Sequence, residues 1–251
     1  MSALGQPIFI PQTVGVSAPS TTAPIIITEY PGSDGVLTRH VELHRPEKLN
    51  CLSLAMLDQL LTALAAPSAE RLVLTGAGRA FCSGLDLSEV AGPTGGRLHL
   101  QKLVAIYRQI LSDRAPVTVL ARGFAVGGGA GLVACAARAI VAEDFRFRLP
   151  GGALARLAAV VVPLCQLRAG TRLPATGAWL GCDLSATEAR QLGLVDRVVP
   201  SIELDQMLAR LRLRQPLELS PSPTPARNET AIQQLLADWE TFLHYRGPFS
   251  V

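Results

Sequence analysis

The chain has 251 residues, of which 49% are hydrophobic and 17% are charged, and its formal net charge is +3. This length and apolar content are enough for one substantial globular core. The positive charge is too small and too dispersed for a protein that binds nucleic acid by neutralising phosphates, so we expect no nucleic-acid partner.

Cysteine usage and the N-terminal composition predict the compartment. The five cysteines show no CxxC spacing, which favours neither a disulfide framework nor a zinc site, so we expect no metal and a reducing environment. Residues 1–24 are rich in Ser, Thr, Pro and Gly without a basic start, and they predict a flexible tail rather than a signal peptide. The most continuous apolar run, residues 157–164, is too short to span a bilayer. The sequence therefore predicts a cytoplasmic protein with no membrane partner.

The first elements predicted after the tail are a β-hairpin and a helix. Two β-rich runs, residues 25–30 and 36–44, are joined by the turn-forming cluster 31–35. Ser53 then caps a helix whose leucines recur at three- and four-residue spacing until Pro67. The hydrophobic period thus changes from that of strands to that of a helix.

From there, strands alternate with helices, which is the pattern of an α/β fold. The predicted strands cover residues 71–75, 117–121, 139–142 and 194–199, and the predicted helices cover 98–111, 130–137 and a segment opened by the capping box Ser185 to Glu188.

The C-terminal part of the chain is set apart by proline. Residues 220–225 read SPSPTP, which can continue neither a helix nor a central strand. We therefore divide the chain into the tail, a core over residues 25–219, and a linker with a C-terminal helix over 220–251. The apolar stripe of that last helix must pack on the core or on another subunit; it consists of Ile232, Leu235, Leu236, Trp239, Phe242 and Leu243.

Two loops place small residues where the backbone can come close to a ligand: FCSGLDL at 81–87 and GFAVGGGAG at 123–131. Glycines at a strand-to-helix junction let backbone N–H groups point at an anion, helped by the positive end of the helix dipole. Two such loops could form an oxyanion hole. Alternatively, the glycines only permit tight turns and close helix packing.

Four ordered motifs resemble the crotonase (enoyl-CoA hydratase/isomerase) superfamily. They are LHRPEKLNCL at 43–52, LTGAGRAFCSGLDL at 74–87, GGG at 127–129 and SATEARQLGLVDRVVP at 185–200. The resemblance covers residues 25–200, with a looser match over 146–183. It implies an α/β spiral of ββα units with a C-terminal helical segment, assembled as a trimer or a dimer of trimers. It also implies binding of acyl thioesters, with coenzyme A as part of the substrate and no separate cofactor.

The resemblance assigns roles to two sets of residues. The backbone N–H groups of Leu85 and Gly128 would hold the thioester oxygen as it becomes an enolate. In a standard hydratase two glutamates position water and move its proton. Gly131 and Gly151 stand at those two positions, and residues 145–182 contain no Asp or Glu. The sequence therefore predicts that the chain is not a standard hydratase.

Four further residues would bind the substrate. By motif position, Cys51 and Ser83 would lie along the coenzyme A moiety through their backbones. Lys48 would contact a phosphate or remain solvated. Asp86 would belong to the substrate site or cap the short helix that follows it.

Other groups could replace the missing acids. A subset of crotonases that decarboxylate acyl chains on a carrier protein uses a C-terminal histidine, as His244 would be here, together with a lysine whose position Leu87 occupies. Cys82 or Ser83 could act as nucleophiles, although no histidine is near them in sequence.

Two residues of a predicted helix are candidates for the acyl pocket. His99 and Tyr107 lie about two turns apart on the predicted helix 98–111, where they would line an acyl pocket or stay partly exposed.

We interpret the sequence as an acyl-thioester-processing enzyme of the crotonase type, acting on a coenzyme A or acyl-carrier-protein thioester. Decarboxylation, thioester cleavage or isomerisation would each suit an oxyanion hole without the glutamate pair. A non-catalytic binding or assembly subunit with the same fold is the alternative. A nucleotide-binding domain is a third interpretation, based on G-x-G-x-x-A at 129–134, but the acid expected about twenty residues later is missing.

Overall fold

A computed structural model describes residues 23–32, 34–66, 69–90, 95–112, 115–150, 160–173, 181–217 and 229–244. Residues 1–22 of the predicted tail and the proline-rich segment 220–225 lie outside these ranges.

The strands belong to two sheets. In chain order they are β1 Ile25–Pro31, β2 Leu37–Leu43, β3 Arg71–Gly76, β4 Val117–Ala121, β5 Phe124–Val126, β6 Arg138–Ala142, β7 Arg146–Arg148, β8 Asp183–Ser185 and β9 Arg197–Val199. The larger sheet has the order β1-β2-β3-β4-β6-β9, and the smaller one has the order β5-β7-β8. In the larger sheet only the β1–β2 pair is antiparallel.

The helices follow the strands along the chain. They are α1 Leu54–Ala65, α2 Leu87–Val90, α3 Gly95–Leu111, α4 Gly128–Cys135, α5 Val162–Ala169, α6 Ala186–Gln191, α7 Ser201–Arg212 and α8 Glu229–His244. Short 3₁₀ turns occupy Pro46–Lys48 and Gly170–Arg172.

A strand–strand–helix unit repeats along the chain. β4 lies in the larger sheet, β5 in the smaller one, and α4 follows; β6, β7 and α5 repeat that order. The strand segment at Cys82 pairs with Ala125 of β5 and so extends the smaller sheet beside the first glycine-containing loop. This arrangement is the ββα spiral that the resemblance implies, and the predicted α/β class is confirmed.

Local signals located several elements correctly. β1 and β2 form the predicted hairpin, with Ile25 opposite Leu43. Ser53 caps α1, its Oγ accepting the Met56 N–H at 3.3 Å. The capping box of α6 is complete in both directions between Ser185 and Glu188.

Other boundaries were wrong. The helix predicted over 130–137 begins at Gly128 and ends at Cys135, because Gly127 adopts a φ of 52° and reverses the chain just before it. The strand predicted from residue 194 begins at Arg197, because the Leu194 N–H is held by the Ala189 carbonyl at 2.8 Å in a turn. The strands β5, β7 and β8 and the helices α5 and α7 were not predicted.

The larger sheet is buried on both faces. Leu72, Leu74, Val119 and Val141 point into the main core, whereas their neighbours on the other face pack under α7. That second set comprises Val73, Leu120, Ile140 and Val199 on the strands and Leu204, Leu208 and Leu211 on α7. Because side chains alternate along a strand, continuous apolar strands require a cover on each side, and α7 supplies the second one.

Candidate active site

The first loop of the site is built onto the smaller sheet. The Cys82 N–H donates to the Phe124 carbonyl at 3.2 Å, and the Val126 N–H donates to the Cys82 carbonyl at 3.0 Å. The first loop therefore leaves the smaller sheet beside β5. The glycines at the start of α4 follow β5 in the chain, so the two loops are neighbours in space.

Leu52 fixes the direction of the Leu85 backbone. The Leu52 N–H donates to the Gly84 carbonyl at 2.7 Å, and the Asp86 N–H donates to the Leu52 carbonyl at 3.0 Å. In such a parallel bridge the N–H of the bracketed residue points to the opposite side. The Leu85 N–H is consequently turned away from Leu52.

Only glycine fits at position 84. Its φ is 93°, and a Cβ there would lie 2.8 Å from the Val126 carbonyl oxygen and 3.5 Å from the Gly128 nitrogen. The loop that carries Leu85 is thus packed directly against the start of α4.

The Gly128 N–H is an end group of α4. Gly128 is the first residue of that helix, where a backbone donor has no partner within the helix. Within the described residues neither the Leu85 nor the Gly128 N–H has a hydrogen-bond partner. Two unused backbone donors, one of them at the positive end of a helix, are suited to stabilise an oxyanion.

The remaining glycines of the second loop serve close packing. A Cβ at Gly129 would lie 2.6 Å from the Cys82 carbonyl oxygen, and one at Gly131 would overlap the Tyr107 hydroxyl. Both residues are inside α4. The G-x-G-x-x-A pattern is therefore helical and does not form a phosphate-binding turn, which removes the basis of the nucleotide-binding interpretation.

Tyr107 and His99 of α3 are fully buried, which excludes the alternative that they stay partly exposed. The Tyr107 hydroxyl donates to the Gly128 carbonyl at 2.7 Å. Burial raises the pKa of Tyr107 well above its usual range, and the neighbouring cysteines act in the same direction. The phenol is therefore a neutral hydrogen-bond donor at physiological pH.

His99 joins three elements. Its Nε2 lies 3.1 Å from Glu89 Oε2 on α2, and the same oxygen accepts the Leu54 N–H at the start of α1 at 2.8 Å. This contact holds α1, α2 and α3 together beside the first loop.

Asp86 caps α2, which is one of the two roles expected for it, and its place in the substrate site stays a prediction. Its Oδ1 accepts from the Ser88 N–H at 3.3 Å and from the Ser88 hydroxyl at 2.6 Å, while its Oδ2 accepts from Arg45 Nη1 and Cys51 Sγ, each at 3.2 Å. Partial burial acts to raise the pKa of Asp86, but the hydrogen bonds from Ser88, Cys51 and Arg45 outweigh it and lower the pKa to about 2. The carboxylate is thus ionised and engaged by protein donors.

The backbone of Cys51 is also engaged. Its N–H donates to the Lys48 carbonyl at 3.1 Å, and its carbonyl accepts from Arg45 Nη1 at 2.9 Å. The Ser83 N–H donates to the Leu49 carbonyl at 3.0 Å, which ties the first loop to the segment around Cys51. Lys48 is exposed and forms no ion pair with any described residue. The substrate-binding roles of Lys48, Cys51 and Ser83 stay predictions.

Asn50 organises this region and was missed. Its Nδ2 donates to the Ala77 and Ala80 carbonyls, both at 2.8 Å, and its Oδ1 accepts the Arg45 N–H at 2.8 Å. Its φ is 54°, a conformation that Asn tolerates better than most residues. The sequence signal that could have identified it was its position directly before Cys51, a predicted substrate-binding residue.

The thiols do not suit nucleophilic catalysis. Cys82 is fully buried, and burial raises its pKa to about 12. Burial, aided by the Asp86 carboxylate, raises the pKa of Cys51 to about 11. Since the thiolate is the nucleophile, both cysteines are inert at neutral pH.

The other predicted acid and base positions are only partly described. Gly131 lies inside α4 and contributes no functional group, and Leu87 is 48% exposed on α2. Gly151 and the side chain of His244 lie outside the described residues. Among the described residues there is no cluster of three or more His, Cys, Asp or Glu that could hold a metal ion. No helix in the same ranges is long and apolar enough to cross a membrane.

The C-terminal helix packs behind the site. The Trp239 ring of α8 lies 5.9 Å from the Tyr107 ring, measured between centroids. Arg97 Nη1 donates to the Leu243 carbonyl at 2.8 Å, and Arg108 Nη2 lies 3.1 Å from Glu240 Oε1. The predicted apolar stripe therefore docks on α3 of the same chain, and Phe242 is the one stripe residue whose side chain is outside the described set.

The family model described as enoyl-CoA hydratase/isomerase matches residues 34–228. The chain belongs to the enoyl-CoA hydratase/isomerase family. It is 25% identical over 93% of its length to the mitochondrial enoyl-CoA hydratase domain-containing protein 3 of Rattus norvegicus, covering 81% of that protein. It is 31% identical to a putative enoyl-CoA hydratase of Thermus thermophilus over 64% of this chain and 67% of the relative.

Solved structures of this family have the same fold. An enoyl-CoA hydratase from Bacillus anthracis superposes with a TM-score of 0.63 at 26% identity, covering 76% of each chain. The human enoyl-CoA hydratase domain-containing protein 3 superposes with a TM-score of 0.66 at 23% identity, covering 90% of this chain and 99% of that one. The family match and the superpositions confirm the crotonase resemblance at the level of family and fold. Members of the enoyl-CoA hydratase/isomerase family act on acyl-CoA thioesters.

Proposed function

We propose that the chain is an acyl-thioester-processing enzyme that stabilises an enolate between the Leu85 and Gly128 N–H groups and does not hydrate enoyl thioesters. The proposal is supported by the packing of the Gly84 turn, which carries Leu85, against the start of α4. Neither of the two N–H groups is used by another described residue. Preorganised backbone donors cost no reorganisation when charge develops on the oxygen.

The composition of the second loop argues against hydration. Gly131 offers no acid, and the nearest described phenol, Tyr107, is a neutral donor rather than a base. Water attack on an enoyl thioester needs a group that removes a proton from water. The described part of the site has none in that position.

Decarboxylation suits such a site best. In a thioester whose α-carbon carries a carboxylate, such as malonyl-CoA, the bond between the α-carbon and the carboxylate breaks and carbon dioxide leaves. The electron pair moves through the α-carbon onto the thioester oxygen. The two N–H groups would donate hydrogen bonds to this enolate oxygen. Solvent water then protonates the α-carbon. This sequence requires an oxyanion hole but no protein base.

The loops near the two donors would also bind the rest of the substrate. Lys48 would meet a phosphate of coenzyme A or of a carrier-protein arm, and the loops at Cys51, Ser83 and Asp86 would lie along it. Assembly as a homotrimer or hexamer is expected by resemblance. The cytoplasmic location stays a prediction, since the rat relative carries the word mitochondrial in its name.

The test compares wild type with Gly128→Pro and Gly128→Ala by mass-spectrometric turnover of crotonyl-, malonyl-, methylmalonyl- and 3-methylglutaconyl-CoA. Proline is tolerated at the first position of a helix, where it removes the N–H and adds the carbons of its ring. Alanine adds the same Cβ, which would lie 3.2 Å from Leu103 Cδ2, but keeps the N–H. We expect one substrate to lose carbon dioxide at a rate that the proline variant lowers by about 100-fold or more, and that the alanine variant lowers much less.

Hydration of crotonyl-CoA at a normal rate would overturn the proposed reaction. Binding of these thioesters without any turnover would favour the non-catalytic subunit. The filled space beside Gly131 is compatible with that second function as well.

A further inference from the structure

The start of α4 is a weak helix terminus. Its N-cap Gly127 makes no side-chain cap hydrogen bond, and the next two residues are also glycines. Glycine costs about 1 kcal/mol relative to alanine inside a helix. The peptide that presents the Gly128 N–H therefore needs support from outside the helix.

The peptide between Gly127 and Gly128 is held at its carbonyl end. The Gly131 N–H donates to the Gly127 carbonyl at 3.0 Å, and this carbonyl belongs to the same rigid plane as the Gly128 N–H. The orientation of the candidate oxyanion donor thus depends on Gly131 and on the first turn of α4.

Tyr107 contacts this turn at two points. Its hydroxyl donates to the Gly128 carbonyl at 2.7 Å, and its hydroxyl and ring edge fill the space in which a side chain at Gly131 would begin. The Tyr107 side chain is fully buried, and its ring is backed by Trp239 of α8. It reaches the turn from α3, so it supplies the anchor that the glycines cannot.

We propose that Tyr107 is the positioning residue of the site: it orients the Gly128 N–H toward the thioester oxygen and occupies the space of the first hydratase acid. This inference rests on the proposed function, because it assumes that the Gly128 N–H meets a thioester. It explains how the site could keep its oxyanion donor while excluding a side chain at position 131.

The experiment separates positioning from general stability. Affinities for butyryl-CoA and for its thioether analogue S-butyl-CoA, which lacks the carbonyl oxygen, are measured by calorimetry. The ratio of the two reports the oxyanion contact alone. We expect wild type to prefer the thioester and Tyr107→Phe, which keeps the ring but loses the hydroxyl, to reduce this preference about 5- to 10-fold.

Infrared spectroscopy supplies an independent readout. A donor that polarises the thioester carbonyl lowers its stretching frequency. With butyryl-CoA labelled with ¹³C at the carbonyl, we expect a smaller downward shift in Tyr107→Phe than in wild type, and the smallest shift in Gly128→Pro.

Tyr30→Phe is the matched control. Tyr30 is another buried tyrosine, it packs in the core under α7, and its hydroxyl has no hydrogen-bond partner among the described residues. We expect it to leave the affinity ratio and the carbonyl frequency unchanged. If Tyr107→Phe does not fold, Tyr107→Met fills the space without a donor and takes its place.

The outcomes distinguish the two levels of the proposal. An unchanged ratio and frequency in a folded Tyr107 variant would overturn the positioning role while leaving the proposed function intact. If wild type binds thioester and thioether equally, with no shift of the carbonyl frequency, the oxyanion hole itself is refuted, and the role of Tyr107 with it.

Discussion

Asp86 is a carboxylate that the fold keeps ionised far below neutral pH. Its pKa in the native protein is about 2, whereas an unfolded Asp titrates near about 3.9. Because the folded pKa is the lower one, the stabilisation is complete above pH 5 and is lost as the pH falls toward 2. We expect Asp86→Asn to lower the free energy of unfolding by about 1–2 kcal/mol at pH 7, and about half of this difference to vanish by pH 3.

The measurement is urea denaturation of both proteins between pH 7 and pH 3. Asp183→Asn serves as the control, since the ion pair of Asp183 with Arg148 at 2.6 Å lies at the surface. Exposed pairs contribute about 0–1 kcal/mol, so this variant should differ little from wild type at any of these pH values. A difference between wild type and Asp86→Asn that is the same at pH 7 and pH 3 would contradict the assignment.

At the scale of elements, the packing of α3 on α4 depends on the missing side chain of Gly131. A Cβ at this position would overlap the buried Tyr107 hydroxyl, which cannot move into solvent. We expect Gly131→Ala to destabilise the protein by about 1–3 kcal/mol in urea denaturation, although alanine is the better helix former. Tyr107→Ala should relieve the overlap, so the double variant should be at least about 1 kcal/mol more stable than the sum of the two single changes predicts.

Gly96→Ala on α3 is the matched substitution. A Cβ there would meet Val90 Cγ1 at 3.4 Å, an ordinary contact distance, and we expect this variant to be neutral or stabilised by up to about 1 kcal/mol. Strict additivity of Gly131→Ala and Tyr107→Ala would show that the two residues do not touch.

Element prediction succeeded where the signal was local. The signals were the Ser53 cap, the leucine spacing of α1 and the Ser185–Glu188 capping box. Each of them involves residues that are close together along the chain. The strands β5, β7 and β8 have three residues each, which is too short for an alternating pattern to appear. They are strands because they pair with one another, and pairing partners far apart in sequence leave no local pattern.

The helix α7 was missed for a different reason. Its buried residues Leu204, Leu208 and Leu211 recur at helical spacing, so a periodic signal was present. Its N-cap is Pro200, which makes no side-chain cap hydrogen bond and was assigned instead to the end of the preceding motif. The need for a helix there follows only from the sheet, whose strands bury both faces.

For the molecule as a whole, the backbone donors of the candidate site could be located from motifs, but their surroundings could not. Leu85 and Gly128 belong to short patterns with fixed spacing. The contact between Tyr107 and Gly131 joins two helices that are separated in the chain by the strands β4 and β5, and no periodicity in the sequence encodes it. For this reason the sequence identified an absent acid but not the group that fills its place.

For the whole molecule, the packing of α8 on α3 makes this last described helix part of the same cooperative unit. Trp239 is 2% exposed and packs its ring on Tyr107, while its indole N–H has no hydrogen-bond partner among the described residues. Its contribution is therefore one of packing. We expect Trp239→Ala to lower the free energy of unfolding by about 3–5 kcal/mol and to loosen α3 as well as α8, as measured by hydrogen exchange of both helices.

Asp238→Ala separates this effect from a general weakening of α8. Asp238 is the neighbouring residue, it is exposed, and it accepts only from Gln234 Nε2 at 2.9 Å among the described residues. Its removal should change stability by no more than about 0.5 kcal/mol. If Trp239→Ala were equally mild, or if faster exchange were confined to α8, the helix would not be docked on α3. Faster exchange that extends through α3 to the Tyr107 amide would show that the packing of α8 stabilises the part of α3 that contacts the candidate site.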